Sequence, residues 1–196
     1  MREQFAKKDD FPKRKRIRII NYDYSRNGCY FITICTKNRE CLFGDVVDGE
    51  MRLNEWGEIV KREIIQTIQK RDYIHIDQYV VMPNHVHLLI SLYNADTARR
   101  VPTREQFSKP TQGSIPTIIR SFKSAVTNAI RPVGTRRAVS GDGFIIWQTR
   151  YHDHIVRNRQ AYQKISEYII NNPILWETDC HNPKNPKYID WNDKNV

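Results

Sequence analysis

The sequence predicts an α+β fold of the α/β-sandwich kind: a ferredoxin-like antiparallel sheet with helices on one face. Three observations lead there. Short β-branched and aromatic runs recur along the chain, two amphipathic helical segments separate them as crossovers, and a third helical segment closes the pattern. There is no internal repeat and no low-complexity segment to suggest a solenoid or a linker.

The elements follow in order. CYFITICTKN (29–38) reads as a strand, and FGDVVDGEMRLN (43–54) as a hairpin whose Asp48-Gly49 pair suits a tight turn with positive φ. NEWGEIVKREIIQTIQKR (54–71) places Trp56, Ile59, Val60, Ile64 and Ile68 at helical spacing, with Asn54 as its N-cap. YIHIDQYVVM (73–82) and HVHLLISL (85–92) are strands, broken by Met82-Pro83-Asn84. Residues 94–113 are polar and read as a loop. SIPTIIRSFKSAVTNAIR (114–131) is a helix with Ser114 as its cap and Ile115, Ile118, Ile119, Phe122, Val126 and Ile130 on its apolar face. FIIWQTRYHDHIV (144–156) reads as the last strand, and NRQAYQKISEYIINN (158–172) as a helix stopped by Pro173. The expected organisation is a basic arm over 1–18, one domain over 19–176 and a tail over 177–196.

Charge narrows the partners. The 196 residues carry 32 Lys and Arg against 22 Asp and Glu, a formal net charge of +10, and the pI is near 9.5. Such an excess favours a polyanion, most often nucleic acid, although basic arms are also common as solvated tails. Lys13, Arg14, Lys15, Arg16 and Arg18 concentrate it in the arm, and Arg136 and Arg137 form a second basic segment. Phe11, Tyr22 and Tyr24 lie near the arm, an arrangement able to track a single strand by phosphate contacts and stacking. No apolar run is long enough to span a bilayer, so no membrane partner is expected. The charged first residues lack a signal peptide's apolar core, which places the chain in the cytoplasm, associated with the nucleoid. Cys29, Cys35, Cys41 and Cys180 form no CxxC pair and read as reduced thiols.

YVVMPNHVHLLISLY (79–93) places two histidines one residue apart in an apolar strand. Alternation points His85 and His87 to the same face, about 7 Å apart along the strand. Val86, Leu88 and Ile90 point to the other face, under the helices, so the imidazoles are expected on the face the helices leave open. Two converging imidazoles can hold a divalent metal. Two half-exposed histidines on a polar sheet face would give the same pattern. The run does not continue as HxHxDH, and it contains no H-x-[ST] pair of a two-histidine phosphoesterase.

LNEWGEIV, YVVMPNHVHLLI, SFKSAV, WQTRYHDHIVRN and YIINNP occur in this order over roughly residues 27 to 175. Together they resemble the IS200-like single-tyrosine transposases, in particular the REP-associated tyrosine transposases. The resemblance implies an HUH endonuclease (His-hydrophobic-His with a catalytic tyrosine) that cuts and rejoins single-stranded DNA through a 5′-phosphotyrosine. It maps the nucleophile onto Tyr168, on a C-terminal tyrosine helix, and the third metal ligand onto Asn172, one helical turn later. The HUH site is then expected on the sheet face opposite the helices. His154 matches a recurrent family position and His152 a variable one, and Gln148 falls in a family word beside Trp147. His154 and Gln148 are therefore candidates for a secondary contact. His75 and His181 receive no role.

A mixed nitrogen and oxygen site that also takes phosphate oxygens suits Mg²⁺ or Mn²⁺. The expected partner is single-stranded DNA bearing a hairpin, with a monomer favoured over a homodimer. Two other functions fit the sequence: a DNA-binding regulator that kept the fold without turnover, and a metal-dependent phosphodiesterase that uses water.

Overall fold

Four strands build the main sheet of the computed structural model, which describes residues 19, 22–93, 111–131 and 145–185. They are β1 (Gly28–Cys35), β4 (Ile74–Met82), β5 (His85–Leu92) and β6 (His152–Val156), in the order β4-β5-β1-β6 and antiparallel throughout. Between β1 and β4 come the hairpin β2 (Gly44–Val47) and β3 (Glu50–Leu53) and the helix α1 (Glu55–Gln69). Helix α2 (Ile115–Ile130) joins β5 to β6, and α3 (Arg159–Asn171) follows β6. Without the hairpin and α3, this is the β-α-β-β-α-β order of a ferredoxin-like sheet.

Local chemistry sets the boundaries. Asn54 caps α1, its side-chain oxygen accepting from Trp56 N and Gly57 N at 3.0 Å each. Asn158 caps α3 by accepting from Ala161 N at 2.8 Å. Asp48 and Gly49 both take positive φ, 53° and 76°, as a two-residue hairpin turn requires. Ser114 stands at the N-cap of α2, but its hydroxyl meets the Thr117 hydroxyl at 3.2 Å instead of a backbone N–H. Pro116 suits that first turn, where an N–H has no helical partner.

Two of the strands read from the sequence need correction. The strand read over 144–156 is regular only from His152. Before it, Trp147 makes an isolated bridge to Thr36, and the loop is tied down by Lys123 Nζ, which donates to the carbonyls of Gln148 (2.7 Å) and Arg150 (3.0 Å). The first strand ends at Cys35, because Asn38 and Arg39 turn the chain with φ of 53° and 55°.

The main core lies between the sheet and the helix pair. Tyr30, Ile32 and Ile34 of β1 and Val86, Leu88 and Ile90 of β5 face Val60 and Ile64 of α1 and Ile118, Phe122 and Val126 of α2. The opposite face is covered too, by α3 and the segment after it, so every residue of β5 is buried. The histidine face is therefore not open. Residues up to Asn185 pack onto the domain, with Asp179, Asn182 and Asn185 buried. Among the described residues, no helix is long and apolar enough to cross a membrane.

Gly57, in the first turns of α1, lets the helix approach the hairpin. A Cβ there would collide with the Phe43 carbonyl oxygen and sit 2.8 Å from Leu53 Cδ2. Alanine improves helix propensity by about 1 kcal/mol, whereas overpacking against backbone costs roughly 1–3 kcal/mol. The clash wins because the Phe43 carbonyl, which accepts from Asn54 N at 3.1 Å, is held in place. Gly57→Ala is expected to lower stability by about 1–2 kcal/mol, roughly 3–6 °C in Tm for a chain of this size, as read by thermal unfolding. A Tm at or above that of the parent would show that the hairpin yields.

Candidate active site

Register places the site residues before any side chain is considered. On β5, His85 lies opposite Cys35 and Met82, and His87 opposite Thr33 and Val80. Directly opposed residues share a face, so His87, Thr33 and, one strand further, His152 form one row across the sheet. His85 and His87 bring their rings to 4.5 Å between centroids in an edge-to-face arrangement. Their exposures are 0% and 1%.

Each imidazole is held from behind. Asn84 Nδ2 donates to the carbonyls of Arg39 (2.9 Å) and His181 (2.8 Å), which turns Asn84 Oδ1 toward His85 Nδ1 at 2.9 Å. An amide oxygen only accepts, so Nδ1 carries the proton and Nε2 presents a lone pair. His87 Nδ1 meets Thr33 Oγ1 at 2.9 Å, and its Nε2 faces the Tyr168 hydroxyl at 3.4 Å, a long hydrogen bond. That phenol arrives from α3. Its ring lies 5.2 Å from His87 and edge-on to Phe31 at 6.1 Å, and 37% of the residue remains exposed.

Asn172 is the C-cap of α3 and is fully buried. Its Nδ2 donates to Asp179 Oδ2 at 3.2 Å, and its side chain also interacts with the His85 ring. Asn172 Oδ1 and His85 Nε2 are buried without a hydrogen-bond partner. A buried lone pair left unpartnered costs about 1–3 kcal/mol, so two of them in one place suit a cation.

Electrostatics follow from burial. Burial and the neighbouring His87 hold the His85 imidazole well below its ordinary range. Burial lowers His87 to about 3. Both are therefore neutral at physiological pH, the form that ligates metals. Burial, followed by the Asp179 carboxylate, pushes the Tyr168 phenol up, so its oxygen is protonated at rest. A divalent cation among these groups would favour the phenolate and oppose both effects.

The tail segment supplies what the sequence left unassigned. His181 stacks 4.5 Å from His85, and Trp176 lies 6.0 Å from it. Asp179 Oδ1 accepts from His181 N at 2.6 Å, and Arg39 Nη1 donates to the Cys180 carbonyl at 3.1 Å. The signal was the run Asp179-Cys180-His181, whose ligand-type atoms lie within 4.8 Å of one another. Of the secondary candidates, His154 lies opposite Phe31 on the exposed edge strand β6, beside a cavity of about 500 Å³ lined by Ile19, Arg157, Asn158 and Ala161. Gln148 N donates to Cys35 O at 3.0 Å, closing the loop next to the site. His152 shares the row of His87 and interacts with His181 and Arg39. Lys13, Arg14, Lys15, Arg16, Arg18, Arg136 and Arg137 lie outside the described residues. All four cysteines are free.

The chain is similar to several known proteins. Residues 25–101 match the family described as "Transposase IS200 like". A protein of Haemophilus influenzae described as uncharacterized is 37% identical over 171 residues, covering 85% of this chain and 91% of that one. The "REP-associated tyrosine transposase" of Escherichia coli is 24% identical over 151 residues, covering 77% of this chain and 69% of that one. A solved structure, "Structure of the REP associates tyrosine transposase bound to a REP hairpin", shares the fold with a TM-score of 0.50 at 24% identity, covering 77% of this chain and 69% of that chain. Residues 25–101 thus carry the pattern of the IS200-like transposases, and the chain as a whole is similar to a REP-associated tyrosine transposase.

Proposed function

We propose that this chain is a metal-dependent single-stranded DNA endonuclease and strand transferase that acts through a 5′-phosphotyrosine on Tyr168. The observation that carries the reading is the convergence of the Tyr168 hydroxyl on His87 Nε2 beside two unpartnered buried atoms, His85 Nε2 and Asn172 Oδ1. His85, His87 and Asn172 would hold the cation, and the mixed donor set fits Mg²⁺ or Mn²⁺. When bound, such a cation neutralises phosphate charge and stabilises the charge that builds up on the phosphoryl oxygens.

The chain's own groups do the rest. Tyr168 Oη attacks the phosphorus while the bond to the 3′-oxygen breaks in line with it. The phenolic proton passes to the carboxylate of Asp179, which lies beside the phenol, and the departing 3′-oxygen takes up a proton to become a hydroxyl. Phe31, edge-on to the Tyr168 ring, restricts its swing. Rejoining reverses these steps: a 3′-hydroxyl attacks the phosphotyrosine and Tyr168 leaves as a phenol. The ester conserves the bond energy, so no nucleotide cofactor is needed. Hairpin-bearing DNA is the proposed substrate, because the related transposase of known structure is bound to a REP hairpin. The arm, rich in Lys and Arg, would contact the strand's phosphates.

Tyr168→Phe keeps the ring against His87 and Phe31 and removes only the nucleophile. With end-labelled hairpin DNA and Mn²⁺, the parent should form a denaturant-resistant protein–DNA adduct on the peptide containing YIINNP. The variant should bind the DNA and form none, a loss of at least about 10³-fold, as for removal of a catalytic nucleophile. Cleavage that survives in Tyr168→Phe would assign the attack to water. Binding by the parent without any cleavage would make it a regulator.

Proton competition for the metal should be unusual. A solvent-exposed histidine pair loses its metal as pH falls through about 6.5, but these imidazoles are held neutral well below that, and the amide of Asn172 does not titrate. Mn²⁺ affinity measured by calorimetry should stay flat between pH 7 and about 5. A drop centred near pH 6.5 would mean that the pair is solvated. The metal-free fold carries the opposite consequence. Its unfolded chain takes up protons below about 6.5 that the folded imidazoles refuse, so stability is complete above that pH and declines as pH falls toward 3.

Affinity for single strands should fall with salt by about 0.7 log units per log unit of salt for each neutralised phosphate. Deleting residues 1–18 should make the slope shallower in a filter-binding series. An unchanged slope would leave the arm a solvated tail.

A further inference from the structure

A third imidazole, from a different part of the chain, packs beside the His85 ring. His181 lies 4.5 Å from the His85 ring and 6.2 Å from the His87 ring, centroid to centroid. Its Nδ1 is buried and has no hydrogen-bond partner, as is true of His85 Nε2 and Asn172 Oδ1. A histidine sheltered only for packing would be expected to spend both ring nitrogens on protein groups or water.

The segment around it is built to hold it there. The backbone N of His181 donates to Asp179 Oδ1 at 2.6 Å, and its carbonyl accepts from Asn84 Nδ2 at 2.8 Å. Arg39 Nη1 fixes the preceding carbonyl, that of Cys180, at 3.1 Å. Asn182 Nδ2 donates to Trp176 O and Asn185 Nδ2 to Asp179 O, both at 3.0 Å, which closes the turn on itself. Two of these supports also serve the other donors. Asn84 fixes the tautomer of His85, and Asp179 takes the Asn172 Nδ2, leaving Asn172 Oδ1 free to ligate. One set of hydrogen bonds thus orients three donors from three segments.

We propose that His181 is a further ligand of the divalent metal centre, through Nδ1, so that the centre draws on three imidazole nitrogens and one amide oxygen. The inference rests on the metal site of the proposed function and extends it to a residue in the segment after α3. Three imidazoles change the preference of the centre. A set of two imidazoles and an amide oxygen, completed by water and phosphate, leaves Mg²⁺ competitive, whereas a third imidazole favours Zn²⁺, Co²⁺ and Mn²⁺ over Mg²⁺.

The test uses the full chain without DNA. Two-bond ¹H–¹⁵N spectra of ¹⁵N-histidine-labelled protein are recorded with and without Zn²⁺, the His181 signals being assigned by their loss in His181→Ala. Zn²⁺ should shift Nδ1 of His181 together with Nε2 of His85. Movement of the His85 and His87 nitrogens with His181 unchanged would overturn the proposal and leave a two-histidine centre intact. Calorimetry gives an independent reading. His181→Ala should weaken Zn²⁺ and Co²⁺ binding about tenfold or more, and Mg²⁺ binding by about twofold at most. His85→Ala, run alongside, should lose all three metals. Equal Zn²⁺ affinity in His181→Ala and the parent would reject His181 as a ligand, and a parent that binds none of these ions would overturn both this proposal and the metal centre itself.

Discussion

Asn84 is the constraint on which the rest depends. It sits in the two-residue break between β4 and β5 and is fully buried. Its amide oxygen faces His85, its amide nitrogen holds Arg39 O and His181 O, and its carbonyl accepts from Thr36 N (2.9 Å) and Thr36 Oγ1 (3.0 Å). Each bond contributes only about 1 kcal/mol net, but a buried amide stripped of its partners would cost several times that. The larger consequence is positional. One residue joins the end of β1, the site histidine and the segment after α3, so a disturbance of any one reaches the other two.

That junction explains why the sheet is covered twice. A sheet packed by helices on a single face normally alternates buried and solvated residues, and β5 does not. Leu89 and Met82 are buried on the side away from α1 and α2, and Ile169 of α3 is buried with them. This second layer gives His85 and His87 a low-dielectric setting. There, neutral imidazoles are favoured over charged ones, and every interaction with a cation or a phosphate is stronger than it would be in water.

The sequence disclosed what periodicity and short motifs can carry. The hairpin, the two strands around the histidines, all three helices, the Asn54 cap and the Asp48-Gly49 turn each have a local cause, and each stands where the pattern put it, whereas the first and last strands are shorter than their patterns. The shared face of His85 and His87 follows from alternation alone. The closing of that face was not legible, because long-range polar bonds produce it. Arg39 reaches Cys180 across 141 residues and Asn84 reaches His181 across 97, and such pairs leave no periodic trace. Arg39 itself needs a left-handed backbone, which nothing in TKNRE announces beyond the tolerance of Asn38 for positive φ. His181 was read as a tail residue for the same reason.

The site is assembled out of balance in one respect, and the imbalance is informative. Two imidazoles are kept neutral, the Tyr168 phenol is kept protonated, and the Asp179 carboxylate beside that phenol pushes its pKa further up. Stability alone would favour a hydrogen-bonded or apolar filling over buried lone pairs on His85 and Asn172. A divalent cation would use the neutral imidazoles as they stand, partner the lone pairs, offset the carboxylate and lower the cost of the phenolate. Groups that are each unfavourable alone, and would become favourable together with one added charge, suit the phosphoryl transfer proposed for this site. Its chemistry passes through a state more negative than its resting one, and the stabilising groups must already be in place when that charge appears.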